Sequence, residues 1–186
     1  MDMKNKTWIV IGIIVVALIW IGGTYNSLVT KGETVTTQWA QVESSYQRLF
    51  DLIPNLVESV KGAMSQEKDI FTALADARTR YSGASNANEK AAAATQVETA
   101  LSRLLVVVEN YPQLKSVEAV QGFMAELAGT ENRVNVERTR FNDTVNIYNI
   151  SVKRFPGSII ASIFGFDEKS YFKANEAAAV APQVKF

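Results

Sequence analysis

The sequence contains neither cysteine nor histidine. The absence of cysteine excludes disulfides, thiolate catalysis, iron–sulfur clusters and thiolate zinc sites. The absence of histidine excludes a histidine-based catalytic triad, a histidine–metal site and the di-metal bundle sites that use Glu-x-x-His motifs. An enzyme would have to rely on carboxylates, lysine, tyrosine or serine, and no pair of carboxylates is marked out by its spacing. We therefore predict no enzymatic activity, no metal, no cofactor and no small-molecule substrate.

An excess of charge of one sign is also absent, because 19 basic residues balance 19 acidic residues. Without a basic excess, the chain lacks the electrostatic footprint of a nucleic-acid-binding protein. Glycine-rich phosphate loops of the G-x-G-x-x-G and G-x-x-x-x-G-K types do not occur. The chain has only four prolines, and alanine is abundant after the first thirty residues, which favours helix throughout.

One long hydrophobic run is present near the N-terminus. Residues 8–23 carry no charge and read WIVIGIIVVALIWIGG. As a helix this run covers roughly 24 Å, and an extension to Tyr25 or slight thinning of the bilayer matches it to a hydrocarbon core of about 30 Å. Apolar side chains cover its whole circumference, which disfavours a core helix with a polar face. We predict a transmembrane helix whose membrane-facing residues include Trp8, Ile13, Val16, Leu18, Trp20 and Tyr25.

A cleaved signal peptide is the alternative interpretation of this run. No A-x-A-like cleavage site follows it and the run is long for a signal peptide, so we favour an uncleaved single-pass anchor. Lys4 and Lys6 precede the run, whereas only Lys31 follows it closely. The positive-inside rule then places the N-terminus in the cytoplasm and the body outside it.

The rest of the chain has the apolar spacing of long helices. Steps of four and three residues define three seams, each along one helix face, and the first and last of them, called here the first and second seam, supply the candidate core residues. We expect helix between about Asn88 and Asn110, a turn over residues 82–88, a kink or restart near Pro54 and a break near Gly62 and Ser65. The prediction is an all-α chain: an anchor over 1–30, an up-and-down antiparallel bundle of the four-helix type over 31–154, and a tail over 155–186. The seams contain Trp39, Val42, Tyr46, Leu49, Ile53 and Leu56, and then Leu127, Glu131, Val134, Arg138, Phe141 and Tyr148.

Two charged residues, Glu131 and Arg138, interrupt the second seam. They could form a buried polar binding site. They could instead pair with charges on a facing helix, such as Arg48 or Glu43, and fix the alignment of the bundle. We favour pairing, because ion pairs in bundle cores commonly specify register.

A second uncharged stretch, FPGSIIASIFGF, occupies residues 155–166. It is too short to span a bilayer as a helix. It could lie on the membrane surface or against a neighbouring subunit, or it could fold back over the apolar end of the bundle, and both interpretations remain open. Residues 176–186 are expected to form a loosely attached end. The candidate lipid or subunit contacts are Phe155, Ile159, Ile160, Ile163, Phe164 and Phe166.

Several stretches resemble the LemA family of bacterial membrane-anchored helical proteins. These are YNSLV at 25–29, QWAQVESSYQRLFDLIPNLVESVKG at 38–62, NYPQLKS at 110–116, ELAGTENRVNVERTRFNDTVNIYN at 126–149 and RFPGSIIASIFGF at 154–166. Leu49 and Phe50 depart from the family pattern. The resemblance implies a four-helix bundle behind a membrane helix, with no agreed enzyme activity and no ligand residues to carry over.

Two functional hypotheses follow. The first is a scaffold in the bacterial inner membrane that assembles with copies of itself and organises or shapes the bilayer. The second is an adaptor that regulates another membrane protein, such as a protease or a sensor kinase. The expected partners are the lipid bilayer, further copies of the chain and an unidentified membrane protein.

Overall fold

The computed structural model describes residues 3–61, 68–111 and 117–172, and within these ranges the chain is all-α. Five helices follow one another along the described residues: α1 (Met3–Lys61), α2 (Lys68–Gly83), α3 (Ala87–Asn110), α4 (Glu118–Lys153) and α5 (Gly157–Phe164). The predicted all-α fold, with a long apolar N-terminal helix and antiparallel packed helices, is confirmed.

The first helix runs without interruption from the apolar run into the body. Pro54 lies inside α1, so of the two predicted alternatives, a kink or a restart of the helix, the restart is wrong. An interior proline removes one backbone hydrogen bond and costs about 3 kcal/mol. Burial of Phe50, Ile53 and Leu56 around the proline offsets this cost, because tertiary packing contributes more to helical stability than propensity does. The predicted break near residues 62–65 lies outside the described residues.

The turn between α2 and α3 is short and well capped. The side-chain oxygen of Asn86 accepts a hydrogen bond of 2.9 Å from the Glu89 backbone N–H. In return, the Glu89 carboxylate accepts one of 2.8 Å from the Ser85 backbone N–H. Asn86 thus caps the helix, and Glu89 binds the N–H one residue before the cap, which is a capping box displaced by one residue. It starts α3 at Ala87, within a residue of the position that the sequence predicted.

The chain forms two compact units, and each contains a part of α1 and a part of α4. We call the first the anchor unit: it comprises the described residues up to Gln38 together with Phe141–Tyr171. The second, the bundle unit, comprises the described residues of Trp39–Arg140 together with Phe172. The anchor unit extends along α1 to Gln38, and residues 155–171 belong to the same unit as the apolar run.

The bundle unit has a core drawn from four helical segments, namely α2, α3, the end of α1 and the beginning of α4. Trp39, at the start of this part of α1, is half-buried, whereas the seam residues that follow it are buried. Glu131 and Arg138 lie at intermediate depth. The buried seam residues of this unit are Val42, Tyr46, Leu49, Ile53, Leu56, Leu127 and Val134.

The anchor unit has a smaller core of its own. Leu28 and Val35 of α1 are buried, and so are the seam residues Phe141 and Tyr148 of α4 and Ile160 of α5. Residues 155–171, which follow α4, therefore fold as part of this unit.

Candidate functional site

The most unusual surface of the anchor unit is the apolar run of α1. Its large side chains are exposed, from 74% at Trp8 to 45% at Trp20, except that Ile21 is half-buried. The predicted anchor residues Ile13, Val16, Leu18 and Tyr25 are also exposed. The most apolar stretch of this helix has a mean hydropathy of 2.3 and no buried residue within the described part of the chain. Such a surface is far too apolar to face water, so this helix is long and apolar enough to cross a membrane.

A second helix, α3, also meets the length and composition expected of a membrane span. Part of α3 is buried, and Val97, Leu101 and Leu104 are core residues of the bundle unit. Its apolar character therefore reflects packing against other helices.

Two glycines shape the end of the anchor unit around α5. Gly157 begins α5 so close to α4 that an added Cβ would lie 2.0 Å from the Ser151 carbonyl oxygen. Any larger residue would push α5 away from α4. Gly165 ends α5 in the left-handed conformation, at φ +73°, which glycine adopts without strain. The Phe166 N–H then donates a hydrogen bond of 3.0 Å to the Ala161 carbonyl oxygen, as in a Schellman cap.

The two faces of α5 have different environments. Ile160 and Ala161 are buried in the anchor unit, so the prediction that Ile160 contacts lipid or another subunit is wrong. A helix of eight residues that packs on one side must turn some apolar side chains inward, and the i to i+1 step separates Ile160 from Ile159. The other predicted contacts remain at the surface: Phe155, Ile159, Ile163 and Phe164 are exposed, and Phe166 is half-buried.

The exposed face of α5 lies beside the end of the apolar run. The Tyr25 ring makes edge contacts with Phe164, at 5.0 Å between ring centroids, and with Phe166, at 5.5 Å. We call the exposed set formed by Tyr25, Phe155, Ile159, Ile163 and Phe164 the apolar collar. Within the anchor unit, the two uncharged stretches of the sequence thus meet, although more than a hundred residues separate them.

The segment after α5 is fixed to α4 by a buried amide that the sequence analysis missed. The Asn149 side-chain amide donates to the Lys169 carbonyl at 2.8 Å and accepts from the Lys169 N–H at 2.9 Å. An ion pair of 2.6 Å joins Lys153 to Glu168 nearby. The sequence signal for this attachment was the position of Asn149 on the inward-facing side of α4, because a buried amide requires polar partners. This attachment fixes the chain to α4 just after the C-terminal end of α5.

The charged members of the second seam form a polar cluster in the bundle unit. Arg138 donates to the Glu98 carboxylate at 2.8 Å, and the Tyr46 hydroxyl donates to the same oxygen at 2.7 Å. The predicted partners of the seam charges are wrong: Arg48 meets Glu126 at 3.5 Å, where both side chains are largely exposed. Glu43, the other predicted partner, forms its ion pair with Lys90 of α3.

Burial changes the acid–base behaviour of this polar cluster. Desolvation raises the pKa of the Tyr46 hydroxyl, and the Glu98 carboxylate raises it further. Desolvation also raises the pKa of Glu131, with a smaller contribution from repulsion by Glu98. The tyrosine therefore remains protonated, and Glu131 is a carboxylate that would be better solvated in the unfolded chain.

Phe172 completes an aromatic cluster that the sequence analysis did not predict. Its ring lies 6.2 Å from that of Trp39 and 6.3 Å from that of Tyr46, and the Arg138 guanidinium stands 4.2 Å above it. A single phenylalanine in an irregular segment has no periodic pattern to mark it as a core residue. Its burial therefore depends on tertiary structure alone.

These arrangements resemble a structural core more than a catalytic centre. Glu98 accepts from two donors that fix its orientation, which is what an ion pair within a bundle requires. Among the described residues, no group of three acidic side chains is placed to hold a metal ion. The absence of enzyme activity stays a prediction.

The architecture defines a class: all-helical proteins that carry a long, exposed apolar helix at the N-terminus. The LemA family profile matches residues 38–186, and the chain belongs to the LemA family. The magnetosome proteins MamQ 1 and MamQ 2 of Paramagnetospirillum magneticum are each 27% identical to it over 189 aligned positions. MamQ of Magnetospirillum gryphiswaldense is 25% identical. Each alignment covers 86% of this chain and 70% of the relative.

Proposed function

We propose that this protein is a membrane-anchored, non-enzymatic scaffold of the bacterial inner membrane, which assembles with copies of itself and organises or shapes the bilayer. The predicted orientation, with the N-terminus in the cytoplasm and the body outside it, belongs to the same proposal. The observation that carries it is the contact of Tyr25 with Phe164 and Phe166. It places the apolar collar within one helical turn of the end of the apolar run of α1.

A collar at this place would lie where the bilayer surface meets the protein. The apolar run ends at Gly23, and Tyr25 stands within one helical turn of that end. The collar residues Phe155 and Ile163 are 72% and 68% exposed. Exposed apolar side chains of this size are unfavourable in water, and they become favourable in the interfacial layer of a bilayer or between two subunits.

The relatives support a role in organising a bacterial structure more than a catalytic role. The three relatives reported above are named as magnetosome proteins. By analogy, we infer that this chain acts through assembly at a membrane.

Assembly can be tested with the full-length protein reconstituted in lipid nanodiscs large enough for several copies. We expect crosslinking to give oligomers of the wild-type protein. A Phe155→Ser/Ile163→Ser variant is expected to weaken self-association by about a hundredfold or more, because each substitution removes roughly 1.5–3 kcal/mol of apolar burial from a subunit contact and each 1.4 kcal/mol is tenfold. The matched control is Val106→Ser/Val136→Ser, which replaces exposed valines of the bundle unit.

The outcomes separate the two functional hypotheses. A wild-type protein that remains monomeric in lipid at every protein density contradicts self-assembly. If crosslinking in native membranes gives one defined heteromeric complex and no homo-oligomer, the adaptor hypothesis replaces the scaffold. If the valine control loses assembly to the same degree, the collar has no specific role in self-assembly.

A further inference from the structure

A groove of about 630 Å³ opens in the anchor unit at the end of the apolar run. One wall is a single face of α1, because Trp20, Gly23, Ser27 and Lys31 follow one another in steps of three and four residues. The opposite wall comes from the end of α4 and the start of α5. The groove therefore begins within the apolar run and continues beyond it.

The two ends of the groove differ in polarity. Trp20 and Phe155 are exposed apolar residues of its lining, and Trp20 lies in the apolar run itself. Lys31 and Arg154 also line it, together with the hydroxyl groups of Ser27 and other small residues. None of the described residues that line the groove is acidic. A lining that changes from apolar to cationic matches an amphipathic anion.

The lysine in this groove is held without a counter-ion. Its Nζ donates to the Ser151 hydroxyl at 2.7 Å, and that hydroxyl donates in turn to the Ile147 carbonyl at 2.8 Å. The serine thus orients Lys31 but does not neutralise its charge. Within the described residues, neither Lys31 nor Arg154 forms an ion pair with a carboxylate.

The position of Lys31 suits a lipid headgroup. Eight residues separate it from Gly23, which corresponds to about 12 Å along the helix. The headgroup layer of one leaflet is roughly 5–8 Å thick. Side chains lean toward the N-terminus of their helix, which here is the bilayer side, and a lysine stem is long enough to close the remaining distance.

We propose that this groove binds an anionic phospholipid, with the lipid phosphate between Lys31 and Arg154 and the upper acyl chain against Trp20 and Phe155. The proposal rests on the membrane anchoring in the proposed function, but not on self-assembly. It assigns to the protein a selectivity for anionic lipid that the apolar run alone would not provide, since hydrocarbon contact does not distinguish headgroups. Two cationic side chains without a bound carboxylate do, because they attract a headgroup of net negative charge more strongly than a zwitterionic one, whose own ammonium group they repel.

The test measures lipids retained by the full-length protein in mild detergent, by native mass spectrometry, with phosphatidylglycerol and phosphatidylcholine added in equal amounts. We expect about one phosphatidylglycerol per chain and a preference of about tenfold or more over phosphatidylcholine, because the choline ammonium of the latter would be repelled by Lys31 and Arg154. The Lys31→Gln/Arg154→Gln variant should lose this preference. The control Lys68→Gln/Arg133→Gln removes the same charge from the bundle unit and should keep it.

A second pair of variants tests whether a bulky side chain inside the groove blocks lipid binding. An added Cβ at Gly23 or at Gly22 meets no atom within 4 Å, so both positions accept a larger residue. Gly23 lines the groove and Gly22 does not. We expect Gly23→Phe to reduce phosphatidylglycerol retention by about tenfold and Gly22→Phe to leave it unchanged. Equal effects of the two phenylalanines would overturn the proposal.

Two further arms identify the ligand and keep the proposals separate. If millimolar glycerol phosphate displaces the lipid completely, the groove is a site for small anions and the lipid assignment is wrong. Vesicle flotation reports anchoring independently. A protein that floats with vesicles but retains both lipids equally contradicts the groove proposal alone, whereas a protein that does not float contradicts the proposed function.

Discussion

The two compact units use apolar residues in opposite ways. In the bundle unit, the apolar seam residues are buried against one another, and polar groups such as Glu98 meet fixed partners. In the anchor unit a smaller core is buried, and the large apolar side chains along the apolar run of α1 and over the collar are exposed. A low-energy state of the bundle unit requires only its own chain, whereas the anchor unit requires a lipid or protein surface to cover it. Substitutions in the two units should therefore affect different measurements.

The largest difference should appear between a buried leucine and an exposed isoleucine. Leu127→Ala in the bundle unit is expected to lower the free energy of unfolding by about 2–5 kcal/mol, because the lost contacts leave a cavity. Ile163→Ala in the collar should change it by less than about 0.5 kcal/mol. Chemical denaturation of both variants in the same detergent measures the two values. A large loss of stability from Ile163→Ala would show that the collar is part of a core.

Ion pairs provide the next comparison. The Arg138 side chain is 12% exposed and that of Glu98 is 30% exposed. We expect Arg138→Leu to cost about 2 kcal/mol, since the Glu98 carboxylate loses its charged partner in a partly desolvated place. Arg48→Leu should cost less than about 0.5 kcal/mol, because the Arg48–Glu126 pair is exposed and screened by solvent. A double-mutant cycle with Glu98→Gln gives the coupling, and similar costs at both arginines would contradict this ranking.

Asn149 allows the same comparison within the anchor unit. Asn149→Ala removes both hydrogen-bond partners of the Lys169 backbone and is expected to cost about 1–2 kcal/mol. The effect should be local, with faster hydrogen exchange of the Lys169 amide and its neighbours. Asn146→Ala is the control, because Asn146 is exposed and accepts only a long bond of 3.3 Å from the Tyr171 hydroxyl. Unchanged exchange in Asn149→Ala would mean that the amide does not hold the segment.

The smallest effect should be a dependence on pH through Glu131. Burial raises the pKa of this carboxyl, so the folded state holds its proton more tightly than the unfolded state. Stability should therefore fall as pH rises above about 4.3, the ordinary value for glutamate, and the loss is complete above the folded pKa. Glu131→Gln removes this contribution. The stability of the variant relative to wild type should increase between pH 4 and pH 7, and a constant difference would contradict the assignment.

The periodic features of the chain were predictable from the sequence. Steps of four and three residues placed Val42, Tyr46, Leu127 and Val134 in a common core, because a helix repeats its faces every 3.6 residues. The turn before α3 was predictable, since serine, glycine and asparagine interrupt the pattern there. The continuation of α1 through Pro54 was not, because the cost of the proline is local whereas the packing that offsets it comes from other helices.

The contacts in the candidate sites depended more on tertiary structure than on the periodicity of the sequence. The pattern marked Arg138 as a seam residue but could not say that its partner is Glu98, since several helices could have faced it. Ile160 was indistinguishable from Ile159 in an uncharged stretch, and only the packing of α5 separated the buried residue from the exposed one. Phe172 gave no periodic signal at all, and the inward-facing position of Asn149 did not identify Lys169 as its partner.

By itself, the sequence determined the helices, the apolar run and the absence of histidine and thiol chemistry, because these properties depend on composition and on local spacing. Only the tertiary structure decided which residues meet across the chain. It brought Tyr25 to Phe164 and Lys31 to Ser151, and it fixed the segment after α5 through Asn149. Contacts between residues so far apart in the sequence depend on how whole helices pack. The pattern of hydrophobic residues along the chain does not specify that packing.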